Sequence, residues 1–200
     1  MTIAGTEYGG FPSPLVGMKI YAPSGVEVSS KGFGSCAPEV LEADGPSRCP
    51  QSSRAGPTGE GLGVVSFGGE RVNEKVSLQS FFTPTGGLSF YAVGRTPTFF
   101  EILEKGYWSS ASAPYGPELT VEIPLVETVP GADDASILSF KVEVGAAYKR
   151  GGKTVSYITL PKSCPRGGAP LKAELTFMSG ETVTIADRQP CPKHRLPQLS

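Results

Sequence analysis

The stretch Lys75–Gly94, KVSLQSFFTPTGGLSFYAVG, decides the fold class. Val76, Leu78 and Phe82 fall on one face and Lys75, Ser77 and Gln79 on the other, the two-residue period of a half-buried strand. Thr83-Pro84-Thr85-Gly86-Gly87 then turns the chain into Leu88–Gly94, so the segment is predicted to be a β-hairpin. The same signature recurs along the chain, with strands expected at 16–22, 62–67, 119–126, 137–144, 155–160, 171–178 and 181–187. About ten short strands separated by Gly/Pro turns predict an antiparallel β-sandwich, immunoglobulin-like or jelly-roll-like.

Composition agrees with this. The 200 residues include 26 glycines and 19 prolines, which suit turns and disfavour helix interiors. Leu, Ile, Val and Phe together number 47, enough for a packed core, and the length suits a single domain over 1–200. One short helix is expected at 37–43 (APEVLEA), with Ser35 or Cys36 as N-cap, Pro38 near its first position and Gly45 as its stop. Residues 99–105 (FFEILEK) suit a helical turn or a strand equally. Residues 45–63 read as a surface loop and 190–200 as an extended tail.

The C-terminal third predicts a register as well as elements. Leu171, Ala173, Leu175 and Phe177 share the odd-numbered face of one strand, and Val183 and Ile185 share that of the next. A two-residue loop at Ser179-Gly180 would set apolar side chains against polar ones, so the loop must have odd length. Met178-Ser179-Gly180 fits a type I turn with a bulge at a left-handed Gly180, pairing Leu175 with Val183 and Ala173 with Ile185. Residues 155–160 are expected as the first strand of a meander with these two.

Four cysteines, Cys36, Cys49, Cys164 and Cys191, form two local pairs 13 and 27 positions apart, without the short knuckles of a zinc site. Three precede proline, as staples at strand ends do. They are read as Cys36–Cys49 and Cys164–Cys191 disulfides, each worth ~3–3.6 kcal/mol by loop-closure entropy, and as marks of an oxidising compartment. Residues 1–10 lack a basic and an apolar leader region, so the expected protein is secreted or at the cell surface with its signal peptide removed.

SGVEVSSKGFGSCAPEVLEADGPSRCP, PYGPELTVEIP and SYITLPKSCPRGGAPLKAELTFMSGETVTIADRQPCP together resemble uncharacterised secreted, β-rich, disulfide-containing proteins of high-G+C Gram-positive (actinobacterial) bacteria. Cys164-Pro-x-Gly-Gly168 and Pro190-Cys-Pro192 carry most of the likeness. It implies export and paired cysteines, and no activity.

Function is constrained mainly by exclusion. Net charge is −1 with interspersed signs, which disfavours nucleic acid, and no apolar run is long enough for membrane insertion. The single histidine, His194, lies in the tail, so no catalytic triad or metal centre is expected and no cofactor motif occurs. Glu101, Glu104, Glu118 and Glu122 are the carboxylates an unexpected glycoside hydrolase would use. Asp133-Asp134 reads as a solvated turn that lacks the oxygens of a calcium site. Tyr107, Trp108 and Tyr115 stand in a loop-like run, and Tyr107 and Trp108 cannot both point inward from an extended chain. They are the candidate ligand-binding residues, for a glycan. The leading expectation is a non-enzymatic extracellular structural or adhesive subunit, of a cell-surface assembly or filament, that self-associates through its terminal segments. A carbohydrate-binding module is the alternative.

Overall fold

The computed structural model describes residues 1–161 and 163–190. Over these residues the chain is all-β and antiparallel with one short α-helix, as its sequence predicts. Nine strands form one continuous sheet: β1 (Leu15–Pro23), β3 (Gly59–Phe67), β4 (Glu70–Phe82), β5 (Leu88–Gly94), β6 (Phe100–Ser110), β7 (Tyr115–Glu122), β8 (Ser136–Lys141), β12 (Ala169–Phe177) and β13 (Thr182–Gln189). Their order is β13-β12-β1-β7-β6-β5-β4-β3-β8. Two small ribbons pair β2 (Glu27–Val28) with β11 (Ile158–Thr159) and β9 (Ala147–Arg150) with β10 (Lys153–Ser156).

The sheet curls until strands from its two halves share a core. Ile3, Leu15, Leu175 and Phe177 pack there with Ile137 and Phe140 of β8. Phe82, Leu88, Phe90, Leu119, Val121 and Tyr157 fill the rest of the concave side. A separate cluster lies on the convex side, where α1 (Pro38–Asp44) sets Leu41 against Phe81, Tyr91 and Val93 beside the Cys36–Cys49 disulfide. All seven residues of β5 are therefore buried, and Phe81 is buried as completely as Phe82. The alternation read at Lys75–Phe82 holds for Leu78 and Phe82 and breaks where the helix covers the second face.

Both predicted turns form with a left-handed glycine. Gly86 has φ 85° and its N–H donates to the Thr83 carbonyl at 3.0 Å. Gly180 has φ 86°, and Leu175 pairs with Val183 and Ala173 with Ile185 in the predicted register. The other neighbour of β12 is β1, not residues 155–160. That segment splits at the buried Tyr157 into β10 and β11, so the expected meander does not exist.

Residues 100–105, which suited a helical turn or a strand equally, belong to strand β6: Leu103 and Lys105 face α1 while Ile102 and Glu104 face the concave side. Other expectations need correction. The helix is capped by Ala37, not Ser35 or Cys36, and no side chain bonds its first turn. Residues 45–63 are no simple loop: they hold two 3-10 turns, Pro46–Arg48 and Gln51–Ser53, and β3 already begins at Gly59. The Cys36–Cys49 pairing is as predicted, with Cα atoms 5.3 Å apart. Cys164 is disulfide-bonded. Its expected partner Cys191, together with His194 and all but the first residue of the tail, lies outside the described residues.

The sheet's two edges differ. The N-terminal residues close the β8 edge: Ile3 N–H donates to Leu138 O at 2.8 Å, Phe140 N–H to Met1 O at 3.1 Å, and Thr2 bridges to Ser139. At the opposite edge every residue of β13 is exposed.

Candidate functional site

The strand registers lay out the convex face beyond α1 as rows. Tyr107, Thr120, Lys19 and Glu174 form one row across β6, β7, β1 and β12, and Ser109, Glu118, Tyr21 and Lys172 form the next. Side chains on alternate residues of a strand share a face, so Lys105 stands about 7 Å along β6 from Tyr107 on the same side.

The outer part of this face is internally satisfied. Tyr21 Oη donates to Glu174 Oε2 at 2.8 Å, and Lys172 Nζ donates to Glu174 Oε1 at 2.7 Å. Those two bonds hold the Glu174 carboxyl below the usual range, while the Glu174 carboxylate holds Lys172 above it. The Lys172 ammonium also sits 3.7 Å from the Tyr21 ring centre and 5.4 Å from that of Tyr115. Tyr115 packs on Tyr21 with ring centres 5.5 Å apart. Lys19 pairs with Glu118 at 3.3 Å, and Thr120 Oγ1 donates to the same Glu118.

The inner part is open. A groove of about 490 Å³ runs between α1 and the sheet, lined by Glu42, Leu103, Lys105, Glu122, Val16 and Ile123 among others. Lys105 Nζ pairs with Glu42 Oε1 at 3.1 Å, which holds its ammonium above the ordinary value. Beside it the Tyr107 ring is 47% exposed.

The three expected aromatics therefore do not converge. Tyr107 and Tyr115 share the convex face. Trp108 points the other way, half-buried on the concave core, and its Nε1–H donates to Tyr157 Oη at 2.6 Å. Opposite orientations follow from the two-residue period, as expected for an extended chain, but the run is a strand to Ser110 and not the loop its small residues suggested. Lys105 and Glu42 escaped notice in the sequence; a strand reading of FFEILEKGYW would have set Lys105 and Tyr107 side by side.

No family model matches the chain, and no curated protein or solved structure does either. Among the described residues no group of three or more His, Cys, Asp or Glu side chains is placed to hold a metal ion. Among them, too, no helix is long and apolar enough to cross a membrane.

The four candidate carboxylates separate in space. Glu101, Glu118 and Glu122 lie on the convex face and Glu104 on the concave one, opposite Phe90. Burial pushes the Glu104 carboxyl up to about 7. A carboxyl that ionises less readily when folded loses stability as pH rises from the unfolded value of 4.5 to the folded value of about 7. The full shift corresponds to roughly 3 kcal/mol, and residual solvent contact reduces it to about 1–2 kcal/mol. Glu104→Gln is expected to be more stable than the parent by that amount at pH 8 and equal to it at pH 4. Urea denaturation at the two pH values checks this; equal midpoints at pH 8 would refute the desolvation account.

Asp133 and Asp134 do not face open solvent together. Asp133 Oδ2 pairs with Arg71 Nη1 at 3.0 Å, and Arg71 Nη2 donates to Asp134 O and Ser136 Oγ. The same guanidinium lies over the Tyr8 and Phe11 rings, 5.2 and 5.3 Å from their centres.

Proposed function

We propose that this chain is a non-enzymatic extracellular protein with an adhesive or structural role, and that its adhesive surface is the groove beside Tyr107, which takes a neutral glycan. The observation that carries the reading is the exposed Tyr107 ring on the same face as a groove lined by Lys105, Glu42 and Glu122. A ring on a rigid strand offers an apolar face for a pyranose to stack on at low entropic cost. Ammonium and carboxylate groups beside it donate to and accept from sugar hydroxyls, and two carboxylates against one ammonium disfavour acidic glycans. The disulfide on the convex side supports an oxidising, extracellular setting.

Titration calorimetry against a panel of soluble neutral polysaccharides tests this. At least one should bind, and Tyr107→Ala should weaken it about tenfold or more with the fold unchanged. A panel without a binder, or a Tyr107→Ala protein that binds like the parent, defeats the glycan reading. A structural role is favoured by a second observation, the β13 edge, which is exposed and pairs with no further strand among the described residues.

A further inference from the structure

We infer that β13 is a homodimerisation edge: it pairs antiparallel with β13 of a second copy about a two-fold axis through Thr184. The inference rests on the structural part of the reading above and is independent of the groove. Phe177 N–H donates to Glu181 O at 2.9 Å at the hairpin's end. Bonded pairs in an antiparallel ladder recur every second residue, so Val183, Ile185 and Asp187 turn their backbone groups toward β12, and Thr182, Thr184 and Ala186 turn theirs outward. Edges left in this state are templates for another strand, which proteins ordinarily guard with charge, proline or cover. The segment Thr182–Ala186 (TVTIA) holds neither a charge nor a proline, and among the described residues no strand covers its outer side, whereas residues 1–3 close the β8 edge.

A second copy fits this edge for three reasons. A two-fold through Thr184 sets Thr184 against Thr184 and Thr182 against Ala186, which are the residues whose backbone groups point outward. It also sets Val183 against Ile185 twice, joining side chains that are 37% and 45% exposed. Ile185 ends a concave-face row of Trp108, Leu119, Ile20 and Ala173, in which Ile20 is itself 38% exposed, so the dimer extends an apolar stripe that the monomer leaves open. Finally, the closed β8 edge prevents head-to-tail addition, so pairing stops at two copies. A junction of one strand per copy covers less than the ~1,200 Å² of a standard interface, so the dimer is weak and concentration-dependent. Glu181 falls opposite Asp187 at each end of the junction, so added salt strengthens the pairing.

Sedimentation equilibrium of the full chain over a concentration series tests the inference. The average mass should rise toward twice that of the monomer and rise further in added salt. Thr184→Pro removes an outward N–H, and Ile185→Lys places a charge at an exposed edge position; both should remain folded and monomeric. A mixture of Val183→Cys and Ile185→Cys proteins should form a mixed disulfide dimer faster than either variant alone. Monomer mass up to roughly 1 mM, dimers that survive both edge substitutions, or Ile185→Cys cross-linking fastest with itself would each overturn the proposal. Loss of the dimer leaves the glycan measurement untouched, since Tyr107 lies four strands away on the other face.

Discussion

Glu74→Ala is expected to lose about 3–5 kcal/mol of stability, a large fraction of the 5–15 kcal/mol typical of a domain. The Glu74 side chain is fully buried on β4, and its carboxylate accepts three backbone N–H groups from the turn that joins β5 to β6. Arg95 N–H and Thr96 N–H bond Oε1 at 2.8 and 2.7 Å, and Thr98 N–H bonds Oε2 at 3.2 Å. Alanine empties the buried site of the Glu74 side chain and leaves three part-buried backbone donors without their partner. Glu74→Gln should fall between the two, because one oxygen survives while the new amide N–H₂ confronts a backbone donor. Urea midpoints of the three proteins decide the matter: a Glu74→Ala midpoint close to the parent's would mean that the turn is organised by something else.

The second large effect is expected at Tyr157, which is fully buried with its ring 4.5 Å from that of Phe82 and 6.4 Å from that of Phe33. Truncation to alanine empties the middle of the concave core and should cost about 3–5 kcal/mol. Tyr157→Phe keeps the ring and removes the oxygen that accepts the Trp108 Nε1–H bond, so about 1–2 kcal/mol is expected. Trp108 is the sole tryptophan of the chain, which makes the loss of that bond directly visible. Emission of folded Tyr157→Phe should shift in wavelength relative to the parent, and the denaturation midpoint should fall. An unchanged spectrum would show that the bond is absent in solution.

These two residues also show how far the sequence could be read. The Leu175–Val183 pairing was legible because a strand's side chains repeat every two residues, and a one-residue slip would have turned each apolar group outward. The Cys36–Cys49 bridge was legible from the 13-residue spacing, the lack of a short zinc knuckle and the proline that follows Cys49. Glu74 was not: a glutamate in a strand is ordinarily a surface residue, and its role depends on a turn more than twenty positions away. Trp108 looks like a loop residue in the sequence because the following SSASA carries no periodicity, and only the pairing of β6 with β7 fixes which side it faces. The groove escaped for a related reason: Glu42 and Lys105 meet through α1 lying across the sheet, a contact that no local pattern announces. The sheet's curl depends in the same way on Ile3 reaching residues in the last third of the chain.

The Arg71 cluster gives two distant stretches a common fate. One guanidinium holds Tyr8 and Phe11 by their rings and Asp133, Asp134 and Ser136 by hydrogen bonds. Neither stretch can swing away without breaking the contacts of the other, so the two should open as one cooperative unit. In native-state hydrogen exchange, amides around 8–11 and 131–136 should share one opening free energy, and Arg71→Ala should uncouple them.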